Sequence, residues 1–147
     1  MSDGVWTVHS DGSAVPNPGR MGLGAHITAP DGTEHTLSLP ADARGCNNEA
    51  ELRALMAALA FVQRHGAQSV RLHCDNSLVV AQLTDPAAEP VARLASVFDE
   101  ARALMNSFAA ITLLWVPRHR NKQADALARA AVGLEPKVVA VKKKKRR

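Results

Sequence analysis

Apolar and polar positions change period several times along the chain, and each change predicts an element. Val5-Trp6-Thr7-Val8 is β-branched and aromatic, which predicts a strand over residues 5–11. Gly12-Ser13 and Pro16-Asn17-Pro18-Gly19 predict a loop. Two short strands follow at 22–29 and 33–39, joined by the turn Pro30-Asp31-Gly32, so the first forty residues read as an antiparallel meander. The period then becomes helical. Leu52, Leu55, Met56, Leu59 and Val62 form one stripe of a helix over 48–65. Asn47 or Asn48 suits its N-cap, Glu49 and Glu51 its first turn, and Gly66 its end. A strand is predicted at 69–74 and a short helix at 76–83, stopped by Asp85-Pro86. Pro90 opens a helix to about residue 105. The unbroken apolar run 111–116 predicts a central strand, or one buried on both faces. A last helix spans 121–132 and ends at Gly133.

The order is βββαβααβα, an α/β pattern. It predicts a five-stranded mixed sheet with helices on both faces, in which a right-handed crossover sets residues 69–74 parallel to the first strand. At 147 residues, 46% apolar and 22% charged, the chain can build one real core. With two Trp, three Phe and no Tyr, that core rests on Ala, Leu and Val. No apolar run is long enough for a membrane span, and Met1-Ser2-Asp3-Gly4 does not resemble a signal peptide. Two cysteines cannot frame a disulfide scaffold or a four-cysteine zinc site, so reduced thiols in the cytoplasm are expected. The formal charge of +4 is misleading. The last six residues are all Lys or Arg, and without them the body carries −2. A folded domain over 1–134 and a disordered basic tail over 135–147 are expected.

Two strands end alike, in His9-Ser10-Asp11-Gly12 and His73-Cys74-Asp75-Asn76. If they are parallel neighbours, both carboxylates emerge at the sheet's C-terminal edge, where open α/β sheets place their sites. Adjacent carboxylates repel unless a cation lies between them, and hard oxygen ligands suit Mg²⁺ or Mn²⁺. Taken singly, either Asp serves equally well as a turn former or helix cap.

Four blocks together resemble a known family. They are Asp11-Gly12-Ser13 with Asn17-Pro18-Gly19, then Asn47-Asn48-Glu49-Ala50-Glu51-Leu52, then Cys74-Asp75-Asn76-Ser77. The last is Trp115-Val116-Pro117-Arg118-His119 running on to Asn121-Lys122-Gln123-Ala124-Asp125. In order and content they resemble type 1 ribonuclease H over residues 5–132, in a short form without the basic, Trp-rich handle. Residues 84–110 hold only Arg93 and Arg102 as cations. The resemblance implies a ribonuclease H-like fold and four metal-site carboxylates, Asp11, Glu51, Asp75 and Asp125, holding two Mg²⁺ ions, with Mn²⁺ able to substitute. It implies an endonuclease, acting as a monomer, that hydrolyses the RNA strand of RNA–DNA hybrids and leaves 5′-phosphate and 3′-hydroxyl ends. Double-stranded RNA is the alternative substrate at the same site. A non-catalytic hybrid-binding module is the alternative class, and it predicts loss of a carboxylate that this chain retains.

The resemblance also makes His119 a loop histidine that moves protons or helps product leave. Asn17, Asn47 and Asn48 would read the 2′-hydroxyl, with the backbone of Gly12 and Ser77 as lesser candidates. Arg44, Cys46 and Asn17 would grip a phosphate of the DNA strand, with Cys46 standing where Thr is usual. Glu49 reads as a stabiliser of the helix N-terminus. Cys74 reads as core, His9 and His73 as histidines packed under a helix, and His26, His35 and His65 as surface residues.

Overall fold

The structure is a computed structural model, and it describes residues 4–134. The expected tail lies outside them. Five strands form one sheet: β1 (Val5–Val15), β2 (Gly19–Thr28), β3 (Glu34–Gly45), β4 (Ser69–Cys74) and β5 (Ala110–Trp115). Their order is β3-β2-β1-β4-β5. β1, β2 and β3 pair antiparallel, while β4 runs parallel to both β1 and β5. The helices are α1 (Asn47–Arg64), α2 (Ser77–Thr84), α3 (Ala95–Asn106) and α4 (Lys122–Ala131). Among the described residues, no helix is long and apolar enough to cross a membrane.

Alternation along β1 and β2 explains the layers. Trp6, Val8, Ala25 and Ile27 meet Leu52, Leu55, Leu59 and Val62 of α1 and Val97 and Phe98 of α3 in one core. The opposite face receives α4. There Gly22 and Gly24 of β2 lie so close to the helix backbone that a β-carbon on either would strike the carbonyl of Ala128 or Ala124.

Three expectations are corrected. β1 does not stop at Asp11: Gly12 to Val15 continue it by pairing with Leu23 to Arg20. These turn-forming residues read as a loop because their partners lie elsewhere in the chain. β5 is an edge strand, with Leu114 40% and Trp115 53% exposed, rather than a central one. Its apolar run resembled a buried strand, but among the described residues no further strand pairs beyond it. Pro90 does not open the third helix, because α3 begins at Ala95 after a single tight turn over Ala92–Leu94.

Candidate active site

β1 outruns its parallel neighbour. β4 ends at Cys74, opposite Ser10, so Asp11 is the first β1 residue with no β4 partner. The first turn of α1 fills this space. Gly12 permits it, because a β-carbon there would run into the backbone of Ala50 and Glu51. That close approach places Glu51 against Asp11. Asp75 follows β4 directly. One carboxylate oxygen each from Asp11, Glu51 and Asp75 lies within 4.8 Å of the other two.

Asp125 arrives from the other face. Asp11 lies opposite Gly24 in the β1–β2 register, and α4 rests on Gly24. Asp125, in the first turn of α4, thereby comes close enough to act on Asp11 both by charge and by a hydrogen bond. It stands beside the three-carboxylate cluster rather than within it.

The electrostatics follow from this crowding. Asp11 is 4% exposed and Glu51 7%. Burial, then the charges of Asp75 and Asp125, push the Asp11 carboxyl up to about 7, although a hydrogen bond with Glu51 works the other way. Burial and the charges of Asp11 and Asp75 raise Glu51 well above the usual carboxylate range, against the Gly12 backbone N–H. Glu51 Oε1 is buried with no hydrogen-bond partner. The charged groups acting on both residues are other carboxylates. An orphaned acceptor within an all-oxygen donor set fits a hard divalent cation.

A family model described as reverse transcriptase-like matches residues 9–131. A bifunctional protein of Mycobacterium tuberculosis is 36% identical over 126 residues, which is 85% of this chain and 35% of that one. The chain thus spans about a third of that relative's length. The relative's N-terminal RNase H domain, solved as a fusion with maltose-binding protein, superposes with a TM-score of 0.78 at 33% identity. That match covers 86% of this chain and 98% of the solved one. Ribonuclease HI of Halobacterium salinarum is 35% identical over 124 residues, 83% of this chain and 61% of its own. The structure of LC11-RNase H1 in complex with an RNA/DNA hybrid matches with a TM-score of 0.73 at 27% identity, over 86% of this chain and 96% of that one. The chain belongs to the type 1 ribonuclease H family.

In this chain the asparagines do structural work through their oxygens. Asn17 Oδ1 accepts the Asn47 backbone N–H at 3.0 Å, and Asn47 Oδ1 accepts the Ala14 N–H at 2.8 Å. Asn48 Oδ1 accepts an amide N–H of Asn76 at 2.8 Å. The amide nitrogens of Asn17, Asn47 and Asn48 have no protein partner among the described residues. Neither Asn47 nor Asn48 caps α1, whose N-cap is Cys46, because both side chains are used to tie neighbouring segments together. Ser77 is the exposed first residue of α2. Glu49 pairs with Arg53 at 2.7 Å, outside the acidic cluster.

Arg44 faces Arg20 across β2 and β3. The guanidinium that meets Cys46 is that of Arg93, with Nη2 3.5 Å from Sγ. Burial opposes ionisation of this thiol, but the Glu49 backbone N–H and Arg93 outweigh it and lower its pKa. The sequence set Arg44 beside Cys46 and gave no sign of Arg93, which is 47 positions away. Cys74 is buried, and burial pushes its thiol far up.

His119 sits in an exposed single turn, Arg118–Arg120, and borders a cavity of about 300 Å³ with Thr7, His9, His26 and Asn121. His9 and His73 are half-buried side by side, their rings stacked with centroids 4.3 Å apart. Burial and the neighbouring His73 and His26 bring His9 down to about 4. Two of the expected surface histidines are half-buried. His26 bonds Glu34 at 2.7 Å, and the His35 ring lies 5.2 Å from that of Phe61 and 6.1 Å from that of Trp6. His65 is exposed.

Proposed function

We propose that this chain is an endonuclease that hydrolyses the RNA strand of RNA–DNA hybrids, leaving 5′-phosphate and 3′-hydroxyl ends. The observation that carries the reading is the convergence of Asp11, Glu51 and Asp75 oxygens within 4.8 Å at a largely buried site. Two Mg²⁺ ions, or Mn²⁺ in their place, are the cofactors under this reading, held by those three residues and Asp125. Divalent ions in such a nest supply Lewis acidity, polarising the scissile phosphate and lowering the pKa of the attacking water.

The chain's own residues do the remaining work. The mutual repulsion of the four acids is offset when cations bind, so the same crowding that raises Asp11 and Glu51 provides affinity for divalent ions. The free amide N–H groups of Asn17, Asn47 and Asn48 donate to the ribose 2′-hydroxyls, with the backbone of Gly12 and Ser77 beside them. Cys46 and Arg44 hold the DNA-strand backbone. His119, on its exposed turn, takes or gives a proton as the product leaves. The reading keeps the enzyme monomeric and cytoplasmic, where Cys46 and Cys74, both free thiols, stay reduced.

A strand-labelled cleavage assay tests this on hybrid, RNA duplex and DNA duplex of one sequence, with Mg²⁺ and with EDTA. Cut RNA in the hybrid, intact DNA and no cutting in EDTA is the expected result. Preferential cutting of RNA duplex transfers the site to double-stranded RNA. Binding of hybrid with no cutting in Mg²⁺ makes the chain a hybrid-binding module.

A further inference from the structure

We infer that Asn121 is a positioning residue, whose side-chain amide holds Asp75 in the orientation that the metal-binding nest requires. The inference rests on the metal-dependent reading above and adds a residue to it.

Asn121 is 1% exposed, the most deeply buried polar group near the acids apart from Ser10. Its Nδ2 donates to the Ser10 carbonyl at 2.9 Å and to Asp75 Oδ2 at 3.0 Å. Both partners are acceptors, so the nitrogen must face them, and the flipped amide would set oxygen against oxygen. The backbone carbonyl of Asn121 accepts the Asp125 N–H at 3.0 Å. One residue therefore bonds the segments that carry three of the four acids: β1 one position before Asp11, the end of β4 at Asp75, and the first turn of α4 at Asp125.

One end of this amide works against folding stability. Asn121 Oδ1 is buried with no partner, and an unpaired buried amide oxygen is a cost. A function for the opposite end of the amide accounts for it. Asp75 is only half-buried, and repulsion from Asp11 and Glu51 would turn its carboxylate toward solvent. A hydrogen-bond donor at Oδ2 resists that rotation and leaves Oδ1 free of protein partners. The donor must also be neutral. A Lys or Arg in the same place would neutralise the nest and compete with the divalent ion, whereas an amide orients the ligand without adding charge.

The test uses the whole 147-residue chain without nucleic acid and Mn²⁺ as the probe, titrated calorimetrically. Asn121→Leu keeps the approximate volume and removes the donor. Its Mn²⁺ affinity is expected to fall about 10-fold, the usual effect of losing a hydrogen bond to a metal ligand. The Mg²⁺ concentration giving half-maximal cleavage should rise by a similar factor, with the hybrid KM unchanged at saturating metal. In an Asp75→Asn background the same substitution should cost no further Mn²⁺ affinity, because the amide acts through Asp75. If the Leu variant does not fold, Asn121→Ser puts a favoured N-cap residue type at the start of α4 but is too short to reach Asp75, and the same loss is expected. Wild-type Mn²⁺ affinity in a folded variant overturns the inference, as does an equal loss in the Asp75→Asn background. If the wild-type chain itself takes up no Mn²⁺, the proposed function fails, and this inference with it.

Discussion

At the scale of residues, Asp11 carries the most testable chemistry. Its carboxyl is raised from the ordinary 3.8 to about 7 by burial and neighbouring acids, so the metal-free native state binds a proton that the unfolded chain releases. A raised acid stabilises fully below its unfolded pKa and loses that contribution as pH climbs through the folded value. Glu51 acts in the same direction. In EDTA, the Tm of wild type is therefore expected to fall relative to that of Asp11→Asn between about pH 4 and pH 7, measured by calorimetry. A gap that stays constant with pH contradicts this. Mg²⁺ at neutral pH should raise the wild-type Tm more than that of the variant. In kinetics, Asp11→Asn is expected to lower hydrolysis by about 10³-fold or more while leaving hybrid affinity within about 3-fold, because the variant alters a metal ligand and spares the asparagine contacts. Near-normal turnover would remove Asp11 from the mechanism.

At the scale of elements, the site depends on how closely two pairs pack: α1 against β1 at Gly12, and α4 against β2 at Gly24. Gly12→Ala tests the first. Its β-carbon meets backbone that cannot move aside without shifting α1, so a loss of about 1–3 kcal/mol is expected in urea unfolding. Activity should drop further than stability explains, since Glu51 moves with the helix. An Ala variant with wild-type stability and turnover would show that the helix has room to give. This scale also separates what the sequence discloses from what it does not. The α1 stripe and the Pro30-Asp31-Gly32 hairpin are local patterns and could be read directly, while the parallel pairing of β1 with β4, 64 positions apart, followed from the crossover rule. The run of β1 beyond Asp11, the edge position of β5 and the start of α3 could not, because each depends on which distant segment supplies hydrogen bonds or cover. From the sequence, Glu51 could be told from Glu49 by motif spacing alone, since both were expected in the first turn; in the structure only Glu49 lies there. The structure separates them physically, by an Arg53 partner for one and Asp11 for the other. Arg93 beside Cys46 and Asn121 beside Asp75 had no sequence signal beyond residue type. Their partners lie 47 and 46 positions away.

At the scale of the whole molecule, charge and site are divided. The body formally carries −2 and the final six residues carry +6. We propose that these six, which lie outside the described residues, supply backbone attraction that a handle would otherwise provide. A truncation ending at Val141 is expected to bind hybrid more weakly at low salt. It should also flatten the dependence of log affinity on log salt by up to about 0.9 for each phosphate that the tail neutralises, with turnover at saturation unchanged. An unchanged salt slope would assign the tail no part in binding. The four blocks that identify the family are spread from residue 11 to residue 125, and their meaning is collective: the sheet edge and the N-terminal part of α1 become one acidic nest, with Asp125 of α4 beside it, only when the chain is folded. The most direct test of that nest is anomalous diffraction from wild-type crystals soaked in Mn²⁺. The account predicts scattering density within about 2–2.5 Å of oxygens of Asp11, Glu51 and Asp75. A fully soaked crystal with no density there, or with manganese held only at the histidine-lined cavity beside His119, would contradict it.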